Sequence, residues 1–303
     1  MDTILKGVIP PMVTPLTAEG NLDVSGLERL IEHLIDGGVH GIFLLGTTGE
    51  APSLSFELKK ELIDRACEII DNRVQVLVGI TDTVFKSSVI LSKHAQTAGA
   101  DAVVVAPPFY FPISENEMHD YLVSLVAELT LPFVLYNMPS CTKMHLSVNF
   151  VKQAKQLGAI GVKDSSGDID YLLSLIQTFK NDSNFSIIAG TESFLSNTVS
   201  NGGHGSVAGG ANFQPKLYVD LYNAALNNDL ALVEQLNKKV QFIQDSIYKV
   251  GMYNSRFVKG IKCALSVLNI CDDHMALPLR RFDEKRRKLI DGYIRQLQED
   301  SIN

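Results

Sequence analysis

The sequence predicts an α/β fold, a (β/α)8 barrel with a C-terminal helical extension, from three observations. One joint recurs: an amphipathic stretch ends in glycine and a short apolar run follows, as at 35–46, 97–106, 156–163 and 200–209. Glycine there supplies the left-handed cap that ends a helix, and a run apolar on both faces suits a strand buried under helices. Eight such runs alternate with helical stretches over about 225 residues, the number at which right-handed parallel crossovers close into a barrel. Beyond Asn227 the chain reads as helix only. An open doubly wound sheet is the competing architecture. It would carry a glycine-rich dinucleotide fingerprint after an early strand, and Gly46-Thr-Thr-Gly49 lacks that spacing.

In chain order, strands at Val8–Val13, Val74–Ile80, Pro132–Asn137 and Phe185–Gly190 interleave with the four joints. The strand of the third joint runs from Ala159 to Val162, with Lys163 just past it. Helices start at polar caps: Asp23 or Ser25, Ser55, Thr83, Ser114, Ser147, Asp168, Thr191, and Asn212 ahead of Pro215. In the extension, Leu230–Lys249, Arg256–Leu268 and Asp283–Gln298 have apolar spacing of helical period, broken at Gly251 and Pro278. No linker sets them free. Residues 1–227 are therefore expected to form the barrel and 228–303 a helical region packed on it.

The 303 residues are 46% hydrophobic and 20% charged, with a formal net charge of −7, within the range of globular proteins. Basic residues gather only at Arg280-Arg281 and in 284–288, interleaved with Leu289, Ile290 and Tyr293. That pattern describes a solvated helix face and argues against nucleic acid as a partner. The four cysteines lack CxxC spacing, so free thiols are expected. The start of the chain lacks the regions of a signal peptide, and no apolar segment approaches the roughly 20 residues that span a bilayer. A cytoplasmic protein without membrane contact is the expectation.

Chemistry in a barrel sits where strands run out into βα loops, and reactive side chains gather at four such ends. These are Gly46-Thr-Thr-Gly-Glu50, Tyr136-Asn-Met-Pro139, Lys163-Asp-Ser-Ser-Gly167 and Gly190-Thr-Glu192. A lysine at the mouth of an apolar run costs solvation unless it is paired or used. Freed of its proton, its amine can attack a ketone to form a Schiff base, whose iminium draws electrons from the neighbouring carbon–carbon bond. Forming it needs a proton shuttle, and Tyr136 is the candidate. Thr47 and Thr48 offer hydroxyls and backbone N–H groups to the carboxylate of a 2-oxo acid. Each has a plainer reading: Lys163 reaching solvent on its flexible stem, Tyr136 as a core aromatic, Gly46-Thr-Thr-Gly49 as a turn. Glu50 reads as an acceptor bracing its loop.

In these motifs the sequence resembles the dihydrodipicolinate synthase and N-acetylneuraminate lyase superfamily of pyruvate-type class I aldolases. The resemblance runs from Lys6-Gly-Val-Ile-Pro-Pro11 to the Leu277-Pro-Leu279 segment. It implies a (β/α)8 barrel, a Schiff-base nucleophile at Lys163 with no other cofactor, a proton relay of Tyr136, Thr47 and Tyr110, and carboxylate binding by Thr47 and Thr48. Gly190 and Val207 would line the pyruvyl group. Tyr110 would reach across an interface between subunits, implying a homodimer or homotetramer.

The synthase branch carries an arginine two residues after the proline of the Tyr-Asn-x-Pro motif, where it handles the carboxylate of the aldehyde substrate. Here that position is Cys141, and a point charge at Lys143 is no substitute for a planar guanidinium. The sequence is more similar to the 4-hydroxy-2-oxoacid and 2-keto-3-deoxy-sugar-acid aldolase branches. Their hydroxylated second substrates would meet Cys141, Ser165 and Thr191, with Ser166, Asp168 and Glu192 near by. The partners expected are thus a small 2-oxo acid and an aldehyde, with dihydrodipicolinate synthase or N-acetylneuraminate lyase as alternative activities. Two readings of other classes are weaker. A metal-dependent enzyme would need convergent ligands, and the seven histidines show no HxH or HxxxH pairing. A binding module for 2-oxo acids would not need a reactive amine and a relay together.

Overall fold

The computed structural model describes residues 4–299. Among them eight parallel strands form one sheet: β1 Gly7–Val8, β2 Gly41–Leu44, β3 Gln75–Gly79, β4 Ala102–Val105, β5 Phe133–Asn137, β6 Ala159–Asp164, β7 Ser186–Ala189 and β8 Gly205–Ser206. Their order is β1-β8-β7-β6-β5-β4-β3-β2. Around them lie α1 Val24–Asp36, α2 Phe56–Ile70, α3 Phe85–Ala98, α4 Glu115–Val126, the short α5 Pro139–Thr142, α6 Val148–Gln156, α7 Ile169–Phe179, α8 Leu195–Ser200 and α9 Pro215–Leu226. The chain continues in α10 Leu230–Asp245, α11 Arg256–Val267 and α12 Glu284–Glu299. The predicted (β/α)8 barrel is the observed fold.

The first strand is shorter than the expected Val8–Val13, and Pro10 and Pro11 are the reason. Proline has no N–H to give a ladder, so only their carbonyls and single bridges serve. Phe43 donates its N–H to Pro10 at 3.0 Å, His40 to Val8 at 2.9 Å, and Pro11 bridges Phe43. Those bonds join the two ends of the sheet.

Side chains add bonds at this seam and between the neighbouring strands β1, β8 and β7. Asn212, expected as a helix cap, is instead fully buried, accepting from Val13 N–H at 3.0 Å and donating to the Pro11 carbonyl at 3.0 Å. Gln214 stands at the cap position of α9, without a side-chain cap bond. His40 and His204, each just before a strand, accept through Nδ1 from the N–H groups of Val8 and Ile187, both at 3.1 Å. Burial holds both imidazoles below their ordinary pKa, which keeps them neutral acceptors.

Of the other caps, Asp23, Ser55, Ser114, Ser147 and Asp168 each accept an N–H of the helix they start. Thr83 does not: α3 begins one residue later, with Val84 at the cap and Asp82 Oδ1 accepting its N–H at 3.0 Å. In the extension, Val240, Ile243, Ile261, Leu265, Ile290 and Ile294 belong to the same buried cluster as the helix-facing side of the barrel strands. A second cluster, with Leu5, Ile9, Phe43, Leu77, Val104, Val134, Tyr136, Ile188 and Val207, fills the barrel interior. No described helix is long and apolar enough to cross a membrane. All four thiols are free, and burial pushes those of Cys67, Cys263 and Cys271 up to about 12.

Candidate active site

Strand β6 runs on through Lys163 to Asp164, two residues further than expected. Lys163 therefore stands on the strand, not past it, and lies opposite Tyr136 of β5 and Ile188 of β7. Alternation along a strand turns Lys163 and Tyr136 into the barrel and their successors Asp164 and Asn137 toward the helices. Lys163 is only 6% exposed, so the solvated reading fails. Its Nζ lies 3.5 Å from the centre of the Tyr136 ring and 5.8 Å from that of Phe43. It donates to Ser165 Oγ at 3.1 Å. As a neutral amine it would present its lone pair to a ketone at this place.

Gly190 makes this arrangement sterically feasible. A Cβ there would come within 1.8 Å of Ser165 Oγ and 2.9 Å of the Asp164 carbonyl oxygen. Its N–H bonds that same oxygen at 2.6 Å. Without a side chain at 190, the end of β7 closes on the loop after β6 and holds Ser165 under the lysine.

A cavity of about 140 Å³ opens beside Tyr136, walled by Phe43, Thr47, Thr81, Phe109, Met138, Cys141 and Thr142 together with backbone and small side chains. Its lining includes no charged side chain. Thr47 is exposed to this space, whereas Thr48 is buried within the same turn. That turn is conformationally strained: Leu45 and Glu50, at its two ends, have φ of 57° and 59°, each costing about 1–2 kcal/mol for a residue with a side chain. Buried bonds hold it. Thr14 donates to the Gly49 carbonyl at 2.7 Å, and the Glu50 carboxylate takes the Lys262 ammonium at 2.7 Å and the Ala276 N–H at 2.9 Å. Glu50 is thus the bracing acceptor that was expected. Its partner Lys262, fully buried, carried no sequence signal beyond a lysine on the apolar side of a helix.

The remaining candidates divide. Val207 packs with Tyr136 and Phe43 in the interior cluster. Cys141 lines the cavity from α5, and Lys143 turns away, donating to the Tyr110 carbonyl at 3.4 Å. Thr191 begins a short helical turn at Glu192–Phe194 with no side-chain cap bond. Glu192 points into the protein, accepting from Tyr218 at 2.7 Å and from Gly210 N–H at 2.8 Å, and burial raises its pKa. It braces the top of β8 and is unavailable to a substrate. Tyr110 is not brought to Lys163: it is 72% exposed, edge-on to Phe111. Thr81 is an addition, bonded to Ala106 N–H at 2.8 Å on the cavity wall. Its position just after β3 was its only signal. Among the described residues no three His, Cys, Asp or Glu side chains converge as metal ligands.

The family model of the dihydrodipicolinate synthetase family matches residues 4–297. The putative 2-dehydro-3-deoxy-D-gluconate aldolase YagE of Escherichia coli is 34% identical over 302 residues, 98% of each chain. The structure of YagE in complex with pyruvate superposes with a TM-score of 0.92, covering 97% of this chain and 99% of that one. A dihydrodipicolinate synthase from Bacteroides thetaiotaomicron reaches a TM-score of 0.93 at 46% identity, covering 96% and 98%. Fold and relatives agree on the class, a carbon–carbon lyase of the class I, Schiff-base type. Within that class the chain belongs to the dihydrodipicolinate synthetase family.

Proposed function

We propose that the protein is an aldolase in which Lys163 forms a Schiff base with pyruvate or a close 2-oxo acid, and that its second substrate is an uncharged, hydroxylated aldehyde. In the cleavage direction the substrate is then a 2-keto-3-deoxy sugar acid. The Lys163 amine gives its lone pair to the ketone carbon while the carbonyl π pair moves to oxygen. That oxygen takes up protons and leaves as water, and the nitrogen is left as a protonated imine. The bond between C3 and C4 then breaks, its electrons moving to C3 and into the imine as an enamine, while the C4 hydroxyl loses its proton and becomes the aldehyde. Protonation at C3 and hydrolysis return pyruvate and the free lysine. Tyr136 serves as the shuttle for these protons, with Thr47 and a partner subunit's copy of Tyr110 completing the relay.

The carboxylate of the 2-oxo acid is assigned to the turn of Thr47 and Thr48, and the pyruvyl group to the floor made by Gly190 and Val207. Lys163 supplies the covalent link that another enzyme would draw from a bound cofactor, so none is needed. The 72% exposure of Tyr110 and of Phe111 supports a homodimer or homotetramer in which that rim is covered. A cytoplasmic location completes the reading.

The choice of aldehyde rests on one observation: the wall beside Tyr136 offers Thr47, Thr81, Cys141 and Thr142 but no cation. An aldehyde bearing a carboxylate, such as aspartate semialdehyde, would enter with its charge unpaired, which costs binding. Hydroxyls would find donors and acceptors. The 46% identity to a protein called a dihydrodipicolinate synthase favours the second reading, synthesis from aspartate semialdehyde. The experiment compares pyruvate release from 2-dehydro-3-deoxy-D-gluconate with condensation of pyruvate and aspartate semialdehyde. We expect kcat/KM for the sugar acid to be larger by at least about tenfold, a difference of about 1.4 kcal/mol. A preference for aspartate semialdehyde would replace this reading with the second.

A further inference from the structure

Tyr136 and Asn137 are consecutive at the end of β5, and Lys163 and Asp164 at the end of β6. The register sets Tyr136 opposite Lys163 and Asn137 opposite Asp164. Lower down the ladder is irregular: Phe133 lies opposite Ala159 but Val134 opposite Gly161, so Ile160 is an extra residue on β6. Pairing Val134 with Ile160 instead would shift the register by one residue, and a slip of one residue turns every side chain beyond it to the other face. Lys163 would then point at the helices. On the β7 side the ladder is regular, with Lys163 opposite Ile188, so bonds above the irregularity are what tie β6 to β5 in this register.

Asn137 and Asp164 have the geometry to do so, at 0% and 2% exposure. Asn137 Nδ2 donates to Asp164 Oδ1 at 2.8 Å. Its Oδ1 accepts the Leu146 N–H at 3.0 Å, which fixes the amide so that its donor faces the carboxylate. The carboxylate also accepts from Ser166, from the N–H at 3.2 Å and from the hydroxyl at 2.8 Å. Backbone bonds repeat the tie, with Ser165 N–H on the Asn137 carbonyl at 2.8 Å. Burial raises the pKa of Asp164 against the pull of these donors and of His145, and Tyr171 of α7 is a second titratable group beside it, its own pKa raised by burial and by the Asp164 charge.

We propose that Asn137 and Asp164 form the register lock of the active site, a pair of positioning residues that hold Lys163 against Tyr136 from the outer face of the sheet. The inference rests on Lys163 being the Schiff-base nucleophile. A nucleophile displaced by about 1 Å loses about 10²-fold in rate, so the lock is read in kinetics as well as in stability.

The test uses Asn137→Asp, which sets two carboxylates at hydrogen-bond distance. Where both are ionised they repel and the bond is lost, and one proton shared between them restores it in acid. The readout is the rate of borohydride-trapped adduct formation with pyruvate, per folded protein, relative to the native protein from about pH 8 down to about pH 5. The single variant is expected to trap about 10²-fold more slowly at the alkaline end, with the deficit shrinking toward acid. The exchanged pair, Asn137→Asp with Asp164→Asn, is expected to return to within about tenfold of native, an order of magnitude of the loss recovered. Asp164→Ala, which removes the bond without opposing like charges, should be slow at every pH. Native trapping rates in Asn137→Asp or in Asp164→Ala would overturn the lock. So would an exchanged pair no faster than the single variant, because a merely structural role lowers melting temperature without this pH-dependent rescue. Absence of adduct in the native protein would instead overturn the Schiff-base reading on which the lock stands.

Discussion

Lys163 and Tyr136 are the residues on which the proposed chemistry turns, and their contact separates two roles of the tyrosine. The ring centre lies 3.5 Å from Nζ, so Tyr136→Phe keeps this ring contact and removes the hydroxyl proposed as the proton shuttle. We expect kcat to fall by about 10²-fold or more with KM changed only a few-fold, as for loss of a general acid–base group. Steady-state kinetics of sugar-acid cleavage measures both, and an unchanged kcat would remove the hydroxyl from the relay. At this scale the sequence was informative because polar groups at the ends of apolar runs stand out. It was silent on Asn137 and Asp164, whose importance comes from facing each other across two strands 27 residues apart. It was misleading on Glu192, a strand-end carboxylate that the fold buries against Tyr218.

Among the elements, the turn from Leu45 to Glu50 depends most on its surroundings. It carries two left-handed residues, and its anchor is the buried pair of Glu50 and Lys262, with side chains 2% and 0% exposed. Removing one partner of a buried pair leaves the other charged and unpaired, at about 3–5 kcal/mol. Lys262→Met should therefore lower the free energy of unfolding by that amount in a denaturant titration. Combining it with Glu50→Gln should recover most of the loss, because replacing the pair leaves no charge behind. A single variant as stable as the native protein would contradict this account of the turn. The pair joins the loop after β2 to α11 across 212 residues. Helices, caps and glycine joints are local and could be read from neighbouring residues, but such a pairing exists only once the chain has folded.

For the whole molecule, the alternation of apolar runs with capped helices was enough to specify a barrel, because few topologies accommodate eight parallel crossovers. What the pattern left out was how the barrel shuts. Its first and last strands are two residues each, and the seam between β1 and β2 is carried by the Pro10 carbonyl, the bridge of Pro11 to Phe43, and His40 on Val8. Local propensity does not encode these contacts. The closed barrel buries Lys163 at the end of β6 against Tyr136, and its role there as the Schiff-base nucleophile is the central proposal. Incubation with pyruvate, reduction with borohydride and peptide mass analysis test it most directly. The account predicts one stable pyruvyl adduct on the peptide bearing Lys163; a folded protein that forms none, or forms it on another lysine, would contradict it.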